Sequence, residues 1–337
     1  MTLIDKVRTT IGKYNMLKRQ DRILLGLSGG PDSIVLLHVL VALKKDYMLD
    51  IQVAHLDHKF RGDQSRKDRE FCEEIARGLN LDIVYDEIDV PKIVKERGIS
   101  SEEAAREVRY DFFKKVAGCK KIKKIAVAHT KDDQAETVLM RMIRGSGSLG
   151  LGGMQPVKDM QGFTIIRPLI ETSRAEVEGF IKEFDLESRH DSTNDKFMFT
   201  RNRVRHELIP YLAENFNPNI KEVLANMAEN FREENEFLEK FTKRKFKSMS
   251  RRRHSEIAID IKKFRKQPEA IKKRILRTGL LLLKGNLRRL TYNHWKEMDE
   301  LIGKRPHNSI VDLPGGVNII KNKNTVVLQK ENGDSFL

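Results

Sequence analysis

The sequence predicts an α/β protein: a Rossmann-like parallel sheet, followed by a smaller, basic, mainly helical domain with a small C-terminal sheet. Three observations lead there. Short apolar runs at residues 23–27, 51–56, 83–88 and 125–129 alternate with helical patterns at 33–45, 64–79, 102–116 and 132–143, as βαβ units do. The first run passes straight into the turn Ser28-Gly29-Gly30-Pro31-Asp32-Ser33, which opens a helix. Basic clusters then recur from Lys243 onward.

The 23–27 run reads as a strand feeding a phosphate-binding loop. Gly29 and Gly30 free the backbone to adopt conformations barred to other residues and let a ligand come close. The freed N–H groups and the positive end of the next helix then favour an anion. Ser28 and Ser33 add hydroxyl donors. Asp32 fits beside a phosphate only with a cation between them, so Mg²⁺ is expected there. No lysine follows Gly30 as a Walker loop requires.

The second strand ends in His55-Leu56-Asp57-His58. These side chains suggest zinc, yet no distant ligand pair of standard spacing completes a site. Ligands of such sheets lie outside the carboxyl ends of the strands, so Ser28, His55, Asp57 and His129 should converge. Residues 145–153 are glycine-rich and read equally well as a mobile lid or a solvent linker. A strand at 163–167, a helix at 173–184, a polar stretch at 188–196 and a basic helix at 201–212 follow.

Pro210 and Asn217-Pro218-Asn219 punctuate the chain before a long charged helical pattern at 220–247. The domain boundary is therefore expected there, giving a catalytic domain over 1–215 and a linker helix with a basic domain over 216–337. In the second domain, Arg251-Arg252-Arg253 and several lysine–arginine pairs suggest an RNA-binding surface rather than merely solvated faces. Strand-like runs at 310–313, 317–320 and 325–328 close the chain.

Composition bounds the function. Lysine and arginine number 64 against 49 aspartate and glutamate, a net charge of +15 that points to a polyanionic partner. Cys72 and Cys119 lie far apart, which excludes a zinc ribbon or disulfide framework and suits a reducing cytoplasm. No apolar run approaches the roughly 20 residues that span a bilayer, and the first residues lack a signal peptide's apolar stretch. The sequence neither requires nor forbids a homodimer.

The loop resembles the pyrophosphate loop (PP-loop) of the N-type ATP pyrophosphatases, which split ATP into AMP and pyrophosphate to adenylate a substrate. Four further segments narrow the likeness. His55-Leu56-Asp57-His58 with Arg61 and Gln64-Ser65, Ala105-Arg106 with Arg109-Tyr110 and Phe112, Ala128-His129 with Asp132-Asp133-Gln134-Ala135-Glu136-Thr137, and Arg201-Asn202 with Arg205 resemble the ordered motifs of the tRNA(Ile)-lysidine synthetases. With Arg167-Pro168-Leu169, the resemblance covers residues 20–215. It implies that ATP adenylates the wobble cytidine of tRNA(Ile) with a CAU anticodon, after which L-lysine displaces AMP to form lysidine. Thr130 stands where that family often has a second histidine, and many relatives continue beyond the point matching Leu337.

Under this resemblance, Ser28, Gly29, Gly30, Pro31, Asp32, Ser33, His55 and Asp57 bind ATP. Asp32 with Mg²⁺ and Arg109 stabilise phosphate charge. His129 is the expected base and Asp133 a further catalytic group. Asp133 and Glu136, three apart on one helical face, hold lysine together with Arg201. Arg205, Arg251, Arg252 and Arg253 contact tRNA. A PP-loop tRNA thiolase is the nearest alternative; it would want paired cysteines. A non-catalytic RNA-binding protein would have no use for Asp32, Arg109 and His129.

Overall fold

A computed structural model describes residues 1–60, 63–160, 162–189, 200–287 and 289–330. Arg61, most of the polar stretch at 188–196 and Arg288 lie outside the described residues. The chain forms two compact units, Met1–Arg232 and Glu233–Leu337. The boundary expected after residue 215 precedes helix α12 (Ile220–Met249), whereas the units divide within that helix.

The first unit opens with α1 (Leu3–Lys13), capped by Thr2. It continues β1 (Arg22–Gly26), α2 (Pro31–Ala42), α3 (Lys44–Tyr47), β2 (Asp50–Asp57), α4 (Asp63–Gly78), β3 (Ile83–Glu87), α5 (Val90–Arg97), α6 (Ser101–Lys120) and β4 (Lys124–Ala126). Then come α7 (Lys131–Ile143), α8 (Ser148–Leu151), β5 (Val157–Met160), β6 (Phe163–Ile166) and α9 (Arg174–Glu183). After α10 (Thr200–Arg203), a π-helical turn (Val204–Leu208) joins α11 (Ile209–Asn215). Pro210 in the first turn of α11 has no N–H to donate backwards, which suits a register change at that point.

The sheet order is β3-β2-β1-β4-β6-β5. All pairs are parallel except the edge strand β5, which runs antiparallel to β6. The order reverses between β1 and β4, so the loops after these strands diverge and leave a crevice at their carboxyl ends. Alternate side chains of β1 serve opposite cores. Ile23 and Leu25 pack with α1, α2, α4 and α9, while Leu24 packs with α5 and α6. Burial on both faces explains why the strands read as continuous apolar runs. A separate cluster joins α7 to Val204, Ile209 and the start of α12 through Val138, Leu139, Leu224 and Ala228.

The fourth strand is shorter than its apolar run. It ends at Ala126, and after Val127 donates to the Ile166 carbonyl the chain leaves the ladder, carrying His129 into the crevice. The glycine-rich segment is tied to α7 rather than loose. Arg141 Nη1 donates to the carbonyls of Gly150 (2.7 Å) and Gly153 (2.6 Å). The Gln134 amide exchanges two hydrogen bonds with Met154. Gly153 has φ +60°, and a Cβ there would lie 2.6 Å from Gln134 Nε2, so glycine is required.

The second unit is built on an antiparallel sheet ordered β7-β8-β11-β10-β9. Its strands are β7 (Ser250–Arg253), β8 (Glu256–Asp260), β9 (Ser309–Leu313), β10 (Val317–Lys321) and β11 (Thr325–Lys330). Helices α13 (Ile261–Arg265), α14 (Glu269–Lys284) and α15 (Tyr292–Gly303) complete it. Its core gathers Ile257, Ile275, Leu280, Leu301, Ile319 and Leu328.

Candidate active site

A cavity of about 750 Å³ opens at the carboxyl ends of β1, β2 and β4. Ser28 and residues 30–33 of the phosphate loop line it with His55, Asp57, Arg109 and His129, at the strand ends where ligands of such sheets lie; Gly29 is not among its lining residues. Gly29 takes φ +82°, a left-handed conformation that suits glycine, and its carbonyl accepts from Arg189 N–H at 2.8 Å. Gly30 caps α2, and it offers no side chain to the helix. Ser33 Oγ instead donates to the Gly30 carbonyl at 2.8 Å and accepts from Ser28 N–H at 3.2 Å. The uncapped start of α2 can therefore receive an anion.

Asp32 meets the test for a cation. Burial raises its pKa to about 6, against the lowering effect of Arg174. Arg174 Nη1 reaches Oδ2 at 3.3 Å, while Oδ1 is buried with no hydrogen-bond partner. Mg²⁺ on that oxygen, with phosphate oxygens and water as its other ligands, fits the chemistry. Among the described residues no three or more carboxylate, imidazole or thiol groups cluster as a ready-made metal cage.

The two cavity histidines have opposite polarity. A carbonyl can only accept, so His55 Nδ1–H donates to the Leu27 carbonyl at 2.9 Å, and Nε2 is left as an acceptor. At His129 the order reverses. Arg167 Nε–H donates to Nδ1 at 3.2 Å, which leaves the proton on Nε2. Burial, then Arg167, push the His129 pKa down to about 3. His129 is thus a neutral donor, not the base expected from its position, because the buried Arg167 takes its lone pair. His58 is likewise pushed down to about 4, first by burial and then by Arg109.

Asp133, Glu136, Arg201 and Arg205 form one ion cluster. Arg201 reaches Asp133 at 3.0 Å and Glu136 at 2.7 Å; Arg205 reaches them at 3.1 and 2.5 Å. The side chain of Glu136 is only 2 % exposed, so this pairing offsets a large desolvation cost. Burial opposes ionisation of Asp133, but Arg201, the Thr130 backbone N–H and Arg205 hold its carboxyl below the usual range. Asp133 also forms a capping box with Thr130 at the start of α7, so the threonine in place of a second histidine serves as N-cap. Arg205, expected at tRNA, sits in this cluster.

Three residues without an expected role join the site. Arg174 links Asp32 to Asp132, donating its backbone N–H to Asp132 Oδ2 at 2.7 Å. Lys221 Nζ lies 2.6 Å from Asp132 Oδ1. Arg167 orients His129. They come from the starts of α9 and α12 and from the residue after β6, and no local spacing connects them. Arg109 lines the cavity and has no hydrogen bond or ion pair among the described residues, a guanidinium available to a phosphate. Arg251, Arg252 and Arg253 stand exposed on β7 of the other unit.

Residues 3–212 match the family model described as a PP-loop domain. The chain is 36 % identical to the tRNA(Ile)-lysidine synthase of Clostridioides difficile, covering 98 % of this chain and 71 % of that protein. Identity to the enzyme of the same name from Caldanaerobacter subterraneus is 39 %, over 98 % and 69 %. With that of Geobacillus kaustophilus it is 34 %, over 95 % and 69 %. Among solved structures, the U34-tRNA thiolase NcsA of Methanococcus maripaludis superposes with a TM-score of 0.58 at 20 % identity, covering 68 % of this chain and 78 % of that one. That likeness shows the shared fold.

Proposed function

The chain belongs to the tRNA(Ile)-lysidine synthase family, and from that premise we propose how its residues divide the work. It is a ligase that joins L-lysine to the 2-position of the wobble cytidine of tRNA(Ile) with a CAU anticodon. In the first step cytosine O2 attacks the α-phosphorus of ATP, an O–P bond forms and pyrophosphate leaves. In the second, the neutral ε-amine attacks C2 and gives up one proton, which the departing AMP phosphate accepts. The C2–O bond breaks, and the oxygen leaves with AMP.

The phosphate loop and the uncapped start of α2 receive the departing pyrophosphate. Mg²⁺, held by Asp32 Oδ1, would supply positive charge beside it. Arg109 and the Nε2–H of His129 donate to phosphoryl oxygens as charge builds on them. His55, an acceptor at Nε2, suits the exocyclic amine of adenine. Asp133, Glu136 and Arg201 take lysine: the carboxylates suit its ammonium group and the guanidinium its α-carboxylate. In the absence of lysine, Arg201 and Arg205 satisfy these carboxylates.

The observation that supports this reading is that Asp32, Arg109 and His129 line one crevice with Glu136 and Arg205, the two members of the ion cluster that reach it. A reducing cytoplasmic setting belongs to the same proposal; no described helix is long and apolar enough to cross a membrane. Thiolase chemistry fits less well, because burial pushes the Cys72 thiol up to about 12 and leaves it unreactive. The test is incubation with ATP, Mg²⁺, lysine and tRNA(Ile), followed by mass analysis of nucleosides. Lysidine is expected; a thiolated or unaltered cytidine would overturn the assignment.

A further inference from the structure

A second concentration of positive charge lies at the carboxyl edge of the first sheet, on the α6 face beside β6 and β5. Arg167 immediately follows β6. On β5, Lys158 stands opposite Ile165, one pair in from the end of β6. Paired residues of antiparallel strands share a face, and Ile165 packs in the core that α6 covers. Lys158 is therefore on the α6 side, half-buried. Its neighbour Asp159 turns to the other face, where it accepts from Thr164 Oγ1 at 2.9 Å.

From the first turns of α6 comes Arg106, its guanidinium 5.2 Å from the centre of the Tyr110 ring. From α7 comes Arg141. These cations are oriented by neutral groups. Arg141 donates to the Gly150 and Gly153 carbonyls, and Arg167 Nη1 to that of Gln155 at 2.6 Å. Lys158 makes no hydrogen bond, and none of the four pairs with a carboxylate among the described residues. Burial first, then mutual repulsion, lowers the pKa of Lys158, Arg141 and Arg167. Unbalanced like charges at this density weaken a fold unless an anion joins them.

Tyr110 and His129, which touch this group, also line the ATP cavity. We propose that Arg106, Arg141 and Lys158, backed by the buried charge of Arg167, form a second anion site, separate from the phosphate loop, which binds an RNA phosphodiester beside the nucleotide being modified. The proposal rests on the tRNA-modifying activity above and adds where the RNA backbone crosses the catalytic unit. Such a site is polyanion-directed and sequence-blind, so its signature is counterion release.

The test uses the full chain carrying Arg106→Met and Lys158→Met, both outside the fully buried core. Binding of tRNA(Ile) and of its isolated anticodon stem-loop is measured across a salt series, and ATP binding is measured without RNA. Both RNAs should bind about tenfold more weakly, with a log–log salt slope flatter by about 0.7 for each phosphate no longer neutralised. ATP affinity should not change, and the melting temperature should be no lower than that of the parent. Lys158→Arg should retain RNA binding. Weakened ATP binding with normal RNA binding would make this a nucleotide phosphate site. An unaltered salt slope, or a fall in melting temperature that accounts for the weaker binding, would leave no anion site. Lysidine formation by the parent is scored in the same preparation; its failure removes the activity reading, whereas an active parent with an unaltered variant slope removes only this site.

Discussion

Asp32 and His129 are each defined by one atom. Asp32→Asn keeps the shape but removes a buried charge whose Oδ1 has no partner. AMP formation should stop. The Mg²⁺-dependent rise in melting temperature should vanish, and the metal-free variant should be at least as stable as the parent. Normal AMP release would show that the metal charge sits elsewhere. His129 separates donor from base. His129→Gln keeps an N–H and should retain a measurable fraction of adenylation that His129→Ala lacks; equal loss in both would restore the base. The pKa of about 3 also has a stability consequence. Between that value and the ordinary 6.5 the unfolded chain binds the proton more tightly, so stability is full above pH 6.5 and falls on acidification. Melting curves from pH 7.5 to 5 should fall less steeply for His129→Gln than for the parent.

Helix α7 concentrates the consequences at the scale of elements, because its cap and first two turns carry both carboxylates of the ion cluster and follow directly on His129. Asp133→Asn removes a charge but keeps a capping oxygen. The lysine requirement should rise roughly ten- to a hundredfold, the worth of a charge-assisted hydrogen bond at about 1.5–3 kcal/mol. Adenylated tRNA should accumulate at ordinary lysine concentrations. An unaltered lysine dependence would reduce Asp133 to a helix cap. Where the glycine-rich segment meets the same helix, Gly153→Ala encounters both φ +60° and the Gln134 amide. A loss of about 1–3 kcal/mol in stability is expected in denaturant titration. The parallel strands were legible because burial on both faces makes them apolar throughout, and the phosphate loop because its residues are contiguous. Strand β5, with its Val-Lys-Asp-Met pattern at a sheet edge, offered no such run. Strand β7 was hidden by its run of exposed arginines, and β8 is only five residues with acidic ends. Within the site, adjacent motifs could be read, but the polarity of His129 depends on Arg167, a partner 38 positions away.

Over the whole molecule, positive charge is concentrated in both units, and in the second it is exposed on β7. Arg251 and Arg252 lie on the exposed edge strand β7, whereas Arg253 stands opposite Glu256 and within 4.0 Å of it. Arg251→Glu with Arg252→Glu should weaken tRNA binding and flatten its salt dependence, leaving ATP affinity unchanged. Binding unchanged across the salt series would make β7 a solvated face. The ion cluster of α7 and the Arg201–Arg205 segment carries a different consequence, one for inheritance. Losing either arginine leaves two carboxylates sharing one guanidinium, and losing either carboxylate leaves two guanidiniums sharing one carboxylate, an uncompensated charge in either case. No single replacement among Asp133, Glu136, Arg201 and Arg205 is a small step, so across diverging relatives these four positions should persist or change as one character, while solvent-facing neighbours such as Arg203 drift independently.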